Sequence, residues 1–178
     1  MAQYKARAPG IQVSGASVLA VVAAMGTFKA RALQLLAEHG IADPRAEQWY
    51  PQQAYLETFQ EIAQAMGPGV LNMIGNKIPD SAHFPPYIDC IEKALQAFCV
   101  GYSLNNRGDD SVVFDLQLDG ARAAKIAMRT PYPCAYERGI LEAMAKRFKP
   151  ADSKGVRIAH DAGCRDTGAD SCVYRVAW

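Results

Sequence analysis

The chain has 178 residues, 50% apolar and 21% charged, which suits one folded domain with a buried core and excludes a disordered chain. Nineteen Lys plus Arg against eighteen Asp plus Glu leave a net charge of +1, without the basic stripe that nucleic acid binding needs. No run of about 18 apolar residues occurs, so no membrane span is expected, and the odd set Cys90, Cys99, Cys134, Cys164 and Cys172 reads as reduced thiols in the cytoplasm rather than a disulfide framework.

Residues 1–108 read as a helical half. Lys5 and Arg7 ahead of the apolar stretch 18–25 faintly resemble a signal peptide, but Pro9, Gly10, Gln12 and two serines interrupt the junction. Residues 16–25 suit a helix or a buried strand. Thr27 is placed to cap a helix carrying Leu33, Leu35 and Leu36, which stops near Gly40. Asp43-Pro44 marks a further helix start. Residues 52–66 put Leu56, Phe59, Ala63 and Met66 on one stripe, and Pro68 opens a shorter helix with Val70, Leu71 and Ile74. Pro85-Pro86 opens a long helix with Ile88, Ile91, Leu95, Phe98 and Tyr102 along one face, and residues 105–110 read as a loop.

Residues 109–178 change period. Val112, Phe114, Leu116 and Leu118 alternate with polar neighbours as in a half-buried strand, and Asp119-Gly120 turns the chain into a return strand with Ala124, Ile126 and Met128. Pro131-Tyr132-Pro133 breaks it, and Ile140, Ala143, Met144 and Phe148 mark a helix. Val156, Ile158 and His160, then Cys172, Tyr174, Val176 and Trp178, alternate in two more strands about the turn 166–170. The expected fold is a single α+β domain over 1–178, a helical N-terminal half packed on an antiparallel four-stranded β-β-α-β-β sheet.

Cys164 and Cys172 flank a turn eight positions long, so their sulfurs can meet one ion. Cys134 follows Pro133 at a helix start, where free N–H groups favour a thiolate. His160 or Asp161 can complete a tetrahedral set, for which zinc is the natural occupant. Other readings stand beside this one: a Cys164–Cys172 disulfide, three buried thiols acting as small hydrophobes, and a histidine satisfied at a strand end.

The tail from Gly163 to Val176, with Cys164, a turn containing Gly168, and Cys172, resembles the closing hairpin of the 4-vinyl reductase domain family. Pro133-Cys134 and then Arg138-Gly139 fit the same pattern. The resemblance implies a zinc held by Cys134, Cys164, Cys172 and an acid three residues before the first hairpin cysteine. That acid is Asp161 here, where the family usually has Glu, and His160 is the alternative fourth ligand. It implies a fold related to vesicle-tethering subunits, a homodimer, and a sensor domain binding a small apolar or aromatic molecule between helices and sheet. A separate partner protein would carry any signal. A tetrapyrrole- or haem-binding accessory protein or enzyme related to vinyl reduction is the alternative, and a dimeric interaction module without ligand is a third.

Candidate walls for a ligand site are Phe59, Ile74, Phe84, Phe98, Phe114 and Met128, with His83, Tyr102 and Tyr132 as polar anchors. All the apolar members also suit ordinary core packing. No phosphate loop, dinucleotide fingerprint or nucleophile elbow is present, so no catalytic residue is assigned.

Overall fold

The computed structural model describes residues 3–110 and 112–178 and, at positions 113 and 162, the backbone alone. Two sheets and six α-helices make up its α+β architecture among the described residues. The helical half holds α1 (Gly15–Ala24), α2 (Lys29–Glu38), α3 (Gln52–Met66), α4 (Gly69–Lys77) and α5 (Ile91–Asn105). It also holds a small sheet of β1 (Gln12–Ser14), β2 (Trp49–Pro51) and β3 (Asn106–Arg107), ordered β2-β1-β3 and antiparallel. The second half carries β4 (Val113–Leu118), β5 (Ala123–Arg129), α6 (Cys134–Phe148), β6 (Arg157–Ala162) and β7 (Cys172–Ala177). Its four strands pair antiparallel in the order β4-β5-β7-β6, the β-β-α-β-β layout expected from the alternating residues.

The core has two parts, and α6 stands between them. Tyr136, Ile140 and Met144 share one face of α6 and pack into the helical half with Tyr55, Leu56, Phe59 and Ile74. Cys134, Leu141 and Ala145 share the other face and pack on the sheet residues Ile126, Met128, Cys172, Tyr174 and Val176. Two glycines bring α6 against α4. A Cβ on Gly75 would lie 2.1 Å from the carbonyl oxygen of Tyr136, and one on Gly139 would lie 2.2 Å from that of Asn72. Only glycine lets two helix backbones approach that closely.

Several boundaries differ from the sequence expectation. The ambiguous segment 16–25 is helix α1, with Val18, Val21 and Val22 buried in the core, so the signal-like apolar run is core packing. Ser14 caps it, its hydroxyl accepting from the Ser17 amide. Thr27 does not cap α2: it lies in a 3₁₀ turn, Gly26–Phe28, that follows α1 directly. Asp43-Pro44 starts no helix, because the next segment closes on itself, with Arg45 N–H donating to the Tyr50 hydroxyl at 2.8 Å. Pro85-Pro86 forms a turn, Ile88 N–H donating to the Pro85 carbonyl, and α5 begins only at Ile91. The 105–110 loop contributes β3, anchored on β1. Among the described residues no single helix is long and apolar enough to cross a membrane; α1 and α2 pass such a test only as a pair bent by 117°.

Candidate functional site

Where α5, α6 and the start of β4 meet, the side chains leave a cavity of about 190 Å³. Phe98, Gly101, Tyr102 and Asn105 of α5 form one wall, Tyr136, Glu137, Ile140 and Met144 of α6 another, and Phe84, Phe114, Tyr132 and Tyr55 close it. The rings meet edge to face or tilted: Phe98 on Phe114 at 5.8 Å between centroids, Tyr102 on Phe114 at 5.6 Å and Tyr102 on Tyr132 at 5.8 Å. At the rim, Phe84 lies under the Arg147 guanidinium at 4.7 Å, and Arg147 also donates to the Pro79 carbonyl.

A polar corner sits at the foot of α5. The fully buried Gln52 donates through Nε2 to the Tyr102 hydroxyl at 3.2 Å and to Asn106 Oδ1 at 3.0 Å. Tyr132 donates to the same Asn106 oxygen at 2.7 Å. Among the described residues no acceptor meets Tyr102's own hydroxyl hydrogen, and the buried Gln52 Oε1 has no partner. Burial pushes the Tyr55, Tyr102, Tyr132 and Tyr136 phenols up from their ordinary value, so all four are neutral donors and acceptors.

The second constellation lies at the sheet end of α6. Cys134 opens α6 behind Pro133, which has no side chain to cap it; Gln3 supplies the cap, its Oε1 accepting from the Cys134 amide at 3.0 Å. Cys164 follows β6 and leads into a 3₁₀ turn, Arg165–Thr167, whose Gly168 takes a left-handed φ of 89°. Cys172 opens β7 opposite Met128. The sulfurs of Cys134 and Cys172 lie 2.9 Å apart, those of Cys134 and Cys164 3.6 Å, and those of Cys172 and Cys164 4.0 Å. A ring nitrogen of His160 joins them, all four ligand atoms falling within 4.8 Å of one another. Tetrahedral zinc with Zn–S bonds of about 2.3 Å sets sulfurs about 3.8 Å apart, so only the Cys134–Cys172 pair must open to accept it. The free thiols exclude the Cys164–Cys172 disulfide.

Charge within the cluster is unequal. Cys172 is lowered to about 3 by the hydrogen bond from Cys134 and by N–H donors of Arg165. Cys134 is raised by that same bond and by burial. Arg165, whose side chain is fully buried, reaches past Cys172 to meet Glu137, the one carboxylic acid on the cavity wall among the described residues. Burial pushes the Glu137 carboxyl up to about 7 although Arg165 and Thr130 both donate to it.

The expected ligand residues separate. Phe84, Phe98, Tyr102, Phe114 and Tyr132 line the cavity. Phe59 lies behind it, buried against Tyr55, Tyr132 and Tyr136, and Met128 is sealed in the sheet core; Ile74 is core as well. His83 is exposed outside the cavity walls. Asp161 points away from the cysteines and pairs with Lys125 at 2.9 Å, whereas His160 reaches them. Ordinary strand alternation sets their sides: His160 stays in register opposite Tyr174, on the face of Ile158, and Asp161 takes the other face. Tyr55, Tyr136 and Glu137 carry no local signature of a pocket; helical spacing of 136, 140 and 144 was their only signal.

No protein-family model matches the chain, and no curated protein matches it by sequence. Solved structures match it over nearly its whole length. An H-NOX protein from S. oneidensis in the Fe(II) ligation state is 17% identical, with a TM-score of 0.65 over 92% of this chain and 95% of that one. An H-NOX domain from Shewanella oneidensis in the Fe(II)CO ligation state is 17% identical, with a TM-score of 0.67 over 93% and 97%. An oxygen-binding H-NOX domain related to soluble guanylate cyclases is 14% identical, with a TM-score of 0.67 over 92% and 94%. The 4-vinyl reductase resemblance is thereby corrected. A cysteine pair about a turn is a local pattern in the last strands, whereas the path of the helices through the whole chain is that of an H-NOX-like α+β fold.

Proposed function

We propose that this protein is a small-molecule-binding sensor domain whose cavity takes a compact, largely apolar ligand and whose cysteine cluster holds a structural zinc. The observation that carries the ligand reading is the half-open aromatic cavity between α5 and α6. A cavity of about 150 Å³ lined by apolar side chains holds a benzene-sized molecule, so the volume here suits one ring or two fused rings. The ligand orients at the Tyr102 hydroxyl, whose hydrogen has no acceptor among the described residues and whose oxygen can accept from an N–H such as that of indole. The donor set Cys134, Cys164, Cys172 and His160 suits a closed structural zinc, which ties β6 and β7 to the start of α6. Self-association, a cytoplasmic location and a separate signalling partner belong to the same reading.

A tetrapyrrole ligand is the second reading, and the likeness to haem-protein folds supports it better than it supports any other ligand. The side chains oppose it. Among the described residues the cavity walls contain no histidine and no cysteine; Met144 and the four neutral tyrosines supply the atoms offered to an iron. The space for one or two rings is also far short of a four-pyrrole macrocycle. Haem does not fit the residues present.

Calorimetric titration with indole, beside a hemin titration followed by visible absorbance, tests the choice. The expected result is one indole per chain, lost in Gly101→Leu, and no stoichiometric shift of the hemin spectrum. Gly101 lines the cavity with open space where a Cβ would stand, so leucine there occupies the ligand's volume. A one-to-one haem complex, with indole and naphthalene both failing to bind, contradicts the reading.

A further inference from the structure

Arg165 touches both constellations. Its backbone N–H and its Nε donate to Cys172 Sγ at 3.4 and 3.3 Å. Nη1 donates to the Thr130 carbonyl and hydroxyl, and Nη2 donates to Glu137 Oε2. The Thr130 hydroxyl in turn donates to Glu137 Oε1. A guanidinium has five N–H donors in a rigid plane, and here three parties share them: a metal-ligating sulfur, a backbone oxygen that ends β5, and a carboxylate on the cavity wall.

We propose that Arg165 and Glu137 form a relay through which metal occupancy of the cysteine cluster sets the polarity of the aromatic cavity. This rests on reading the cluster as a metal site. Cys172 holds the Nε and backbone N–H of Arg165 while Glu137 holds Nη2, so the two acceptors grip one rigid guanidinium from opposite ends. A bound divalent ion takes up the charge of that sulfur, and the guanidinium turns its full bonding to Glu137 and Thr130. Glu137 then presents a better neutralised wall to the cavity, which favours an apolar occupant. Both members are shielded from water, the side chains being 0% and 3% exposed, so solvent does not damp the exchange. Glu137 and Tyr102 line the same cavity, so the pair's charge sits on the wall the polar corner shares. By linkage, a ligand favoured in the metal-bound form must tighten metal binding by the same factor.

The test uses the whole chain, zinc alone as the probe, and ¹³Cζ-labelled tyrosine, with Tyr102 and Tyr174 assigned through Phe variants. Tyr174 donates to the Cys134 carbonyl and reports the metal directly. Tyr102 lines the cavity and reports the relay. In the unmodified protein both resonances are expected to shift and to saturate at one zinc per chain. In Glu137→Gln, which keeps size and a hydrogen-bonding oxygen, Tyr174 is expected to shift and Tyr102 to stay. A Tyr102 signal that ignores zinc while Tyr174 moves overturns the relay and leaves the metal site standing. An equal Tyr102 shift in Glu137→Gln overturns it too, by placing the route in the α6 backbone. Zinc that fails to bind removes both the relay and the metal reading. The unmodified protein decides the first point without any variant, should Glu137→Gln fail to fold.

Discussion

The aromatic cavity and the cysteine cluster lie on opposite faces of the same helix, α6, and are built in opposite ways. The cluster draws three cysteines and a histidine from the last third of the chain; the cysteines sit at turns or element ends, and the exposed His160 reaches them from β6. The cavity draws on residues from Ser17 to Met144, and most sit in the middle of helices whose apolar stripes look like any core. A cluster of reactive atoms is held by local geometry, whereas a cavity is what the packing of distant elements leaves unfilled. Its existence depends on how closely α4, α5 and α6 approach.

The largest expected effect falls on the cluster side. Cys172→Ser, or stripping the ion with a chelator, is expected to leave β6, β7 and the α6 start untied, and the substitution also takes the sulfur partner from Arg165. We expect a loss of about 3–5 kcal/mol, roughly 10 °C or more in Tm for a chain of this length, measured by thermal denaturation. An unchanged Tm would remove the structural role of the metal.

Gly139→Ala is next, and it acts on the frame common to both sites. Its methyl would stand 2.2 Å from the Asn72 carbonyl oxygen in backbone that cannot yield, so α6 must move from α4. Overpacking of this kind costs about 1–3 kcal/mol, and the displaced Tyr136 and Ile140 should deform the cavity as well. Chemical denaturation gives the stability change, and indole binding gives the deformation.

These two variants also mark what the sequence could disclose. The four-stranded sheet was legible because its strands alternate cleanly from Phe114 to Val176, and the cysteine set was legible because thiols near turns are few. The small sheet was not legible: strands of two and three residues are too short to show a period. His160 stood beside Asp161 as a fourth-ligand candidate because the family resemblance points to the acid, whereas the alternation of Ile158 and His160 already put the histidine on the cysteines' side of the strand. Arg165 and Glu137 were not singled out in the sequence, since charged residues are seldom fully buried; only their mutual contact makes both burials tolerable.

Glu137→Gln should separate the two regions by their pH response. The Glu137 carboxyl is raised from 4.5 to about 7 in the folded protein, chiefly by burial. The folded state therefore binds more protons than the unfolded one between those values. Its contribution is fully present below about 4.5, is lost as pH rises, and is exhausted above about 7. Tm of the unmodified protein should fall across that window relative to Glu137→Gln, with the two profiles parallel above it. Parallel profiles throughout would mean that Arg165 holds the carboxylate charged at every pH tested.

Gly101→Leu should have the smallest effect on stability and a complete effect on binding. Replacing a helix-interior glycine gains about 0.5–1 kcal/mol of helix stability, while the side chain fills the cavity from α5. Zinc content should be untouched, which isolates the cavity from the cluster.

Native mass spectrometry of the protein purified without added metal or ligand bears most directly on the central claim, that one chain holds an ion at its cysteines and a compact molecule in its aromatic cavity. The expected spectrum shows the chain with one zinc and with a small organic mass that leaves on gentle activation, the organic mass being absent from Gly101→Leu. A bare chain after mild purification, or a chain carrying the mass of haem, would contradict the account.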